Sequence, residues 1–259
     1  MKPPVPPLLF AVLFFFGMMV LLETGRRVGV IRRSRESADE RGNLAAIEGA
    51  VFALFGLLVA FTFSGGASRF NEKRMLIAEE ANSIETAYLR LQLVSPPTQS
   101  DLQELFRRYA DSRLETYRLL PNMKAAEEEM AKSKKLQEEI WTAAVAATSL
   151  PNSHPAAGIL LLPALNNMID MSTTRTMALQ LHPPTIVYAL LFVLGLICSM
   201  LVGYRMAGAA HRSWLHILSY TFITVIIVYV ILDVEYPRAG LIRLATADHL
   251  LVQVRENMK

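Results

Sequence analysis

Apolar residues are spread unevenly along the chain. Four stretches carry almost nothing else: 4–22 (PVPPLLFAVLFFFGMMVLL), 49–67 (GAVFALFGLLVAFTFSGGA), 183–204 (PPTIVYALLFVLGLICSMLVGY) and 213–232 (SWLHILSYTFITVIIVYVIL). A hydrocarbon core about 30 Å thick is crossed by about 20 helical residues rising about 1.5 Å each, so each stretch predicts one membrane span. Between the second and third the pattern changes. Ile77, Ala81, Ile84, Tyr88 and Leu91 fall at steps of three and four, which predicts one apolar helix stripe with Glu79, Glu80 and Glu85 turned elsewhere. Pro96–Pro97 should end that helix. Ser100 or Asp101 can cap the next, with Leu102, Leu105, Phe106, Tyr109, Leu114 and Tyr117 on its apolar side. A third runs to about Ser149. A fourth, kinked by Pro163, carries Leu161, Leu165, Met168 and Ile169 up to His182. No strand alternation and no repeat is visible.

The predicted fold is an all-α integral membrane protein, with four transmembrane helices as two hairpins flanking a helical extramembrane insert. The first hairpin takes residues 1–67, with a basic loop at 23–44. The insert is 68–182, the second hairpin 183–236 and the C-terminal tail 237–259. No strong stop separates the second span from the insert, so one helix is expected to run through both, with Gly65–Gly66 as one place to bend.

Composition agrees. The 259 residues are 53% hydrophobic with a mean hydropathy of +0.32, which excludes an ordinary soluble domain. The first stretch is followed by ETGRRVGVIRRSR and not by a small-residue cleavage site, so it reads as a retained span. Arg26, Arg27, Arg32, Arg33, Arg35 and Arg41 lie in the first short loop, and Arg205 and Arg212 in the second. The positive-inside rule then places both loops in the cytoplasm and the insert outside, although Arg69, Lys73 and Arg74 pull the other way. Cys198 is the single cysteine, so no internal disulfide forms.

The search for reaction chemistry yields nothing. The five histidines lack the i, i+4 pairing of a zinc helix, FSGGAS lacks the lysine and spacing of a phosphate loop, and Glu127, Glu128 and Glu129 point around their helix and not at one ion. No catalytic residue, metal site, cofactor or nucleic-acid partner is predicted, and an enzyme is not expected. Polar residues at membrane depth say more. Glu48 opens the second span, where an ionised carboxylate needs water or a partner. It either pairs with an arginine of the preceding loop at the headgroup level or serves a pore-mouth or proton-linked role. Asp233 and Glu235, beside Arg238 and Arg243, end the fourth span, where they can meet Arg69 or Arg74.

The junction after the second span carries Phe61, then Arg69, Phe70, Glu72 and Arg74. This spacing resembles bestrophin anion channels, in which the second span runs into the first long helix outside the bilayer. The plan of two spans, a helical insert and two spans is similar too. EANSIETAYLRL and LDVEYPRAGLIR look closer to the bestrophin-like domain family of bacterial membrane proteins, and that likeness covers nearly the whole chain. Some features depart from the channels. Thr62–Phe63 replaces an Arg-Asn pair, Ala67 replaces a tyrosine, and no acidic calcium clasp has a counterpart. The orientation derived above is also inverted. Anion selectivity and calcium gating therefore do not carry over.

What the resemblance implies is a set of second spans gathered round an axis, pinching a pore with apolar side chains. Phe52, Phe55, Val59 and Phe63 are the candidate lining, with Glu48 at the mouth. Gly49, Gly56 and Ala60 serve helix packing equally well. Four spans leave little room for a private pore, so conduction implies a homo-oligomer in a lipid bilayer passing small ions. The expected location is a cell membrane, the inner one if the source is bacterial. The alternative is a non-conducting scaffold or sensor whose insert binds a partner.

Overall fold

The structure is a computed structural model that describes residues 6–32, 37–120, 122–208, 212–237, 241–242 and 245–258. Eight α-helices follow in order: α1 Pro7–Arg32, α2 Ala38–Leu89, α3 Pro96–Arg118, α4 Met123–Thr148, α5 Ala157–Ala178, α6 Thr185–Met206, α7 Trp214–Glu235 and α8 Ala245–Asn257, with a short 3-10 turn at Arg90–Leu93. No strand occurs among the described residues. Four of the helices, α1, α2, α6 and α7, are long and apolar enough to cross a membrane.

The helix ends follow local chemistry. Ser37 and Glu40 form a reciprocal capping box in front of α2: Glu40 N donates to Ser37 Oγ at 3.2 Å, and Ser37 N donates to Glu40 Oε2 at 2.7 Å. From there α2 continues for 52 residues, about 78 Å at the α-helical rise. Gly65 and Gly66 lie within it as helix. Pro96 and Pro97 do not merely stop the preceding helix. They are the first two residues of α3, where a missing N–H costs nothing, so Ser95 precedes the helix and not Ser100 or Asp101. Pro163 stays inside α5, and Arg90 Nη1 donates to the nearby Leu160 carbonyl at 2.6 Å. That helix ends at Ala178, short of His182. The basic loop is also shorter than expected, because α1 remains helical to Arg32.

The chain divides into two compact units. One comprises residues 70–181 and 243–259. Its apolar core holds Ile84, Leu91, Phe106, Tyr109, Ile140, Leu161, Leu165 and Met168, joined by Leu251, Val254 and Met258 around the C-terminal helix. Arg255 forks onto Asp111 at 2.7 and 3.0 Å, and Arg107 Nε donates to the Met258 carbonyl, fixing α8 on α3.

Within this unit Glu80 is not turned to solvent. It is fully buried and accepts from Arg113 Nε at 2.6 Å, Arg175 Nη1 at 2.5 Å and the Tyr117 hydroxyl at 3.1 Å. Arg113 also donates to Tyr117, and the Arg175 guanidinium lies 3.4 Å from the centre of the Tyr117 ring. Burial acts to raise the Glu80 pKa, but Arg113 and Arg175 outweigh it and hold the carboxyl below its ordinary value. Burial pushes the Tyr117 phenol upward, so it stays a donor. Beside this group Gln137 donates to Tyr109 Oη and Ser172 Oγ, joining α4, α3 and α5 by side-chain hydrogen bonds.

The other unit comprises residues 2–69 and 182–242. Here α1 lies along α6 and also meets α7. Phe10, Phe14 and Phe192 pack as mutually tilted rings in its core with centroid separations of 5.0–6.3 Å, among Met18, Leu191, Val225, Val228 and Ile231. Near Gly25 and Gly203 the two backbones come so close that no Cβ fits between them.

Candidate functional site

Two features of the membrane unit stand out: the polar end of α7 and the apolar run of α2. Helix α7 runs past the fourth apolar stretch to end in DVE, and its last turn carries Asp233 and Glu235 inward, each only 1% exposed. Glu235 is met by Arg69 of α2. Arg69 Nε donates to Oε1 and Oε2 at 3.2 and 2.9 Å, and Nη2 donates to Oε2 at 2.7 Å. A Cβ at Gly66 would stand 3.7 Å from Glu235 Oε2, an ordinary contact, so the pair does not depend on a glycine there. The glycine pair lies inside an unbroken helix.

Asp233 takes a different role. Its Oδ2 accepts from the backbone N–H groups of Leu241 and Ile242 at 3.1 and 3.0 Å, tying down the chain after α7. His182 joins the cluster, although sequence reasoning left it among scattered histidines. Its Nδ1 lies 3.0 Å from Glu235 Oε1, and its ring stacks on Tyr236 at 4.7 Å. Of the other junction residues, Phe70 is half-buried, Glu72 and Arg74 are exposed, and Arg238 lies outside the described residues.

Removing one partner of a buried charge pair strands the other and costs about 3–5 kcal/mol. Arg69 keeps 30% of its side chain exposed and His182 can share the load, so Arg69→Ala should fall at the low end, about 3 kcal/mol. Arg118→Ala removes a guanidinium that is 72% exposed and should cost less than about 1 kcal/mol. Denaturant unfolding in detergent measures both. Equal small losses would make the Arg69–Glu235 pair a surface ornament.

Glu48 is 6% exposed, and Arg205 Nε stands 3.4 Å from its Oε2. That partner comes from the end of α6 and not from the loop preceding α2. The four apolar side chains expected to share a pore face do not share one environment. Phe55 and Val59 pack against the core of their own unit, Phe52 is half-buried, and Phe63 is exposed. The open side of α2 is displaced round the helix. Leu54, Leu57 and Phe61 are 57%, 52% and 68% exposed, with Gly49, Ala53, Gly56, Ala60 and Ser64 also uncovered.

Among the described residues no group of three or more His, Cys, Asp or Glu side chains is placed to hold a metal ion. The polar end of α7 is a structural tie, and α2 is the element with surface to offer.

The fold has solved counterparts. Crystal structures of a bacterial bestrophin homologue from Klebsiella pneumoniae, each carrying a mutation, match with TM-scores of 0.62, 0.62 and 0.60. Identities are 14%, 13% and 14%; the matches cover 95%, 95% and 94% of this chain and 98%, 98% and 97% of theirs. No curated protein matches the sequence. A family model, that of the bestrophin-like domain, matches residues 27–248. This all-helical chain with four candidate membrane spans therefore belongs to the bestrophin-like domain family.

Proposed function

We propose that copies of this chain assemble into an ion-conducting membrane channel lined by α2. The observation that carries the reading is the state of α2 in the subunit. Its apolar window is 6% buried, against 28%, 28% and 44% for the windows of the other three candidate spans. Ala53, Leu57, Phe61 and Ser64 follow one another by four, four and three residues, so they share one helix face. That face is the proposed pore wall. Gly49, Gly56 and Ala60 lie beside it and let neighbouring copies of α2 approach closely. Phe55 and Val59 brace the wall from behind, while Phe52 and Phe63 mark its edge. The family and fold point to the same class of membrane protein.

An apolar ring gates by drying, so trimming it admits water. Leu57→Ala or Phe61→Ala should raise the conductance of purified protein in planar bilayers by about twofold or more. Leu8→Ala, on an exposed face of α1, should leave it unchanged. A monomeric mass in detergent overturns the reading. So does the absence of current above the empty bilayer in the wild type and in both trimmed variants.

A further inference from the structure

The membrane unit has a second charged corner, away from the α7 acids. The apolar run of α1 ends at Leu22, and α7 begins at Trp214. Three guanidinium groups gather there on one carboxylate. Arg212 Nη2 and Arg27 Nε donate to Glu23 at 2.8 and 3.1 Å, and Arg26 Nη1 lies 4.0 Å from it. Among the described residues Glu23 is the acid that these arginines share, so the corner holds two more positive charges than negative ones.

The cluster is braced as well as charged. The Arg212 guanidinium carbon lies 4.1 Å from the centre of the Trp214 ring, and Trp214 is itself half exposed. Ser213 precedes α7 without a side-chain bond to its backbone, because its hydroxyl meets the His216 ring at 2.6 Å. The positive end of the α7 dipole therefore adds to the arginines. Directly along α7 the surface turns apolar, with Leu215, Leu218 and Phe222 exposed. A cationic cluster, an interfacial tryptophan and an apolar slope in that order match the order of groups in a phospholipid. A soluble acidic partner would leave the slope uncovered.

We propose that this α1–α7 corner binds the phosphate of an anionic membrane lipid through Arg26, Arg27 and Arg212, with its acyl chains along Leu215 and Phe222. The site stands whether or not the protein conducts. Near an anionic surface each arginine changes lipid retention by about fivefold.

The test uses the full chain in phosphatidylcholine nanodiscs titrated with dioleoyl phosphatidylglycerol. Retained lipid is counted by native mass spectrometry, and the unfolding midpoint is followed in parallel. Phosphatidylglycerol should be retained and should raise the midpoint. Arg26→Gln with Arg212→Gln should cut retention by about 25-fold, while Arg118→Gln should not change it. If the double variant folds poorly, Arg27→Gln, whose side chain is 78% exposed, should still lose about fivefold. Retention unchanged in these variants overturns the proposal. A midpoint rise of the same size from inorganic phosphate or glycerol 1-phosphate also overturns it, because the site would then read a free phosphate and not a lipid.

Discussion

Gly203→Ala is expected to destabilise the membrane unit by about 3 kcal/mol or more, although it adds a single methyl group. A Cβ on Gly203 would stand 1.9 Å from the Leu22 carbonyl oxygen of α1, and a Cβ on Gly25 would stand 2.0 Å from the Met200 carbonyl oxygen of α6. Both obstacles are backbone, so no rotamer change relieves them. The helices must part, and the interdigitation of Phe14 with Gly195 and of Gly29 with Ala207 loosens with them. Membrane helices associate through packing of this kind, with no hydrophobic driving force to replace it. The two contacts also form one interface. Gly25→Ala combined with Gly203→Ala should cost little more than either alone, since the first already opens the gap. Gly42→Ala is the control: open space surrounds that glycine, and alanine should be neutral or gain up to about 1 kcal/mol. Unfolding in mixed detergent micelles reads all four proteins. A loss below about 1 kcal/mol for Gly203→Ala would mean that α1 and α6 do not meet this closely.

What the sequence disclosed depends on how far each signal stands above its alternatives. Four apolar runs of bilayer length have few other uses, and all four are helices. The stripe from Ile77 to Leu91 was legible for the same reason. Arg69 and Glu235 lie at ends of their spans that should emerge together, which made their meeting legible although 166 residues separate them. Local punctuation was read less well. Pro96–Pro97 looks like a stop and acts as a start, because a proline that cannot continue one helix fits the first turn of the next. Glu80 shows a different failure. It lies three residues after Ile77 and four before Ile84, on the buried face itself. Arg113 sits midway between Tyr109 and Tyr117 on the apolar side of α3, and Arg175 follows Met168 by seven. Three charges at core positions on three helices were a signal for a buried cluster, but each one alone reads as a polar interruption. The side of α2 that its own subunit leaves open was harder to read. Phe55 and Val59 are as apolar as Leu57 and Phe61, and only the packing of the other spans decides which side α2 leaves open.

Glu80→Gln should unfold the extramembrane unit at far lower denaturant than wild type, with a loss of about 3–5 kcal/mol. The carboxylate is the shared acceptor of Arg113 and Arg175, each 3% exposed. Glutamine keeps the shape and removes the charge, leaving both guanidiniums in a low-dielectric core with a weaker acceptor. The burial that makes the loss large also makes it reparable. Glu80→Met with Arg113→Met and Arg175→Met removes every stranded charge, and should recover most of the stability if the cluster acts only as structure. Acid provides an independent reading. Because the folded pKa of Glu80 lies below its unfolded value of 4.5, the unfolded chain binds the extra proton first. The stabilisation from this carboxylate is therefore complete above about 4.5 and is lost as the pH falls through the folded value. Wild type should lose stability steeply below that point, and Glu80→Gln should show a flatter profile over the same window. Urea midpoints collected from pH 7 down to pH 3 measure both slopes. Parallel profiles for the two proteins would show that Glu80 does not carry the charge on which this account depends.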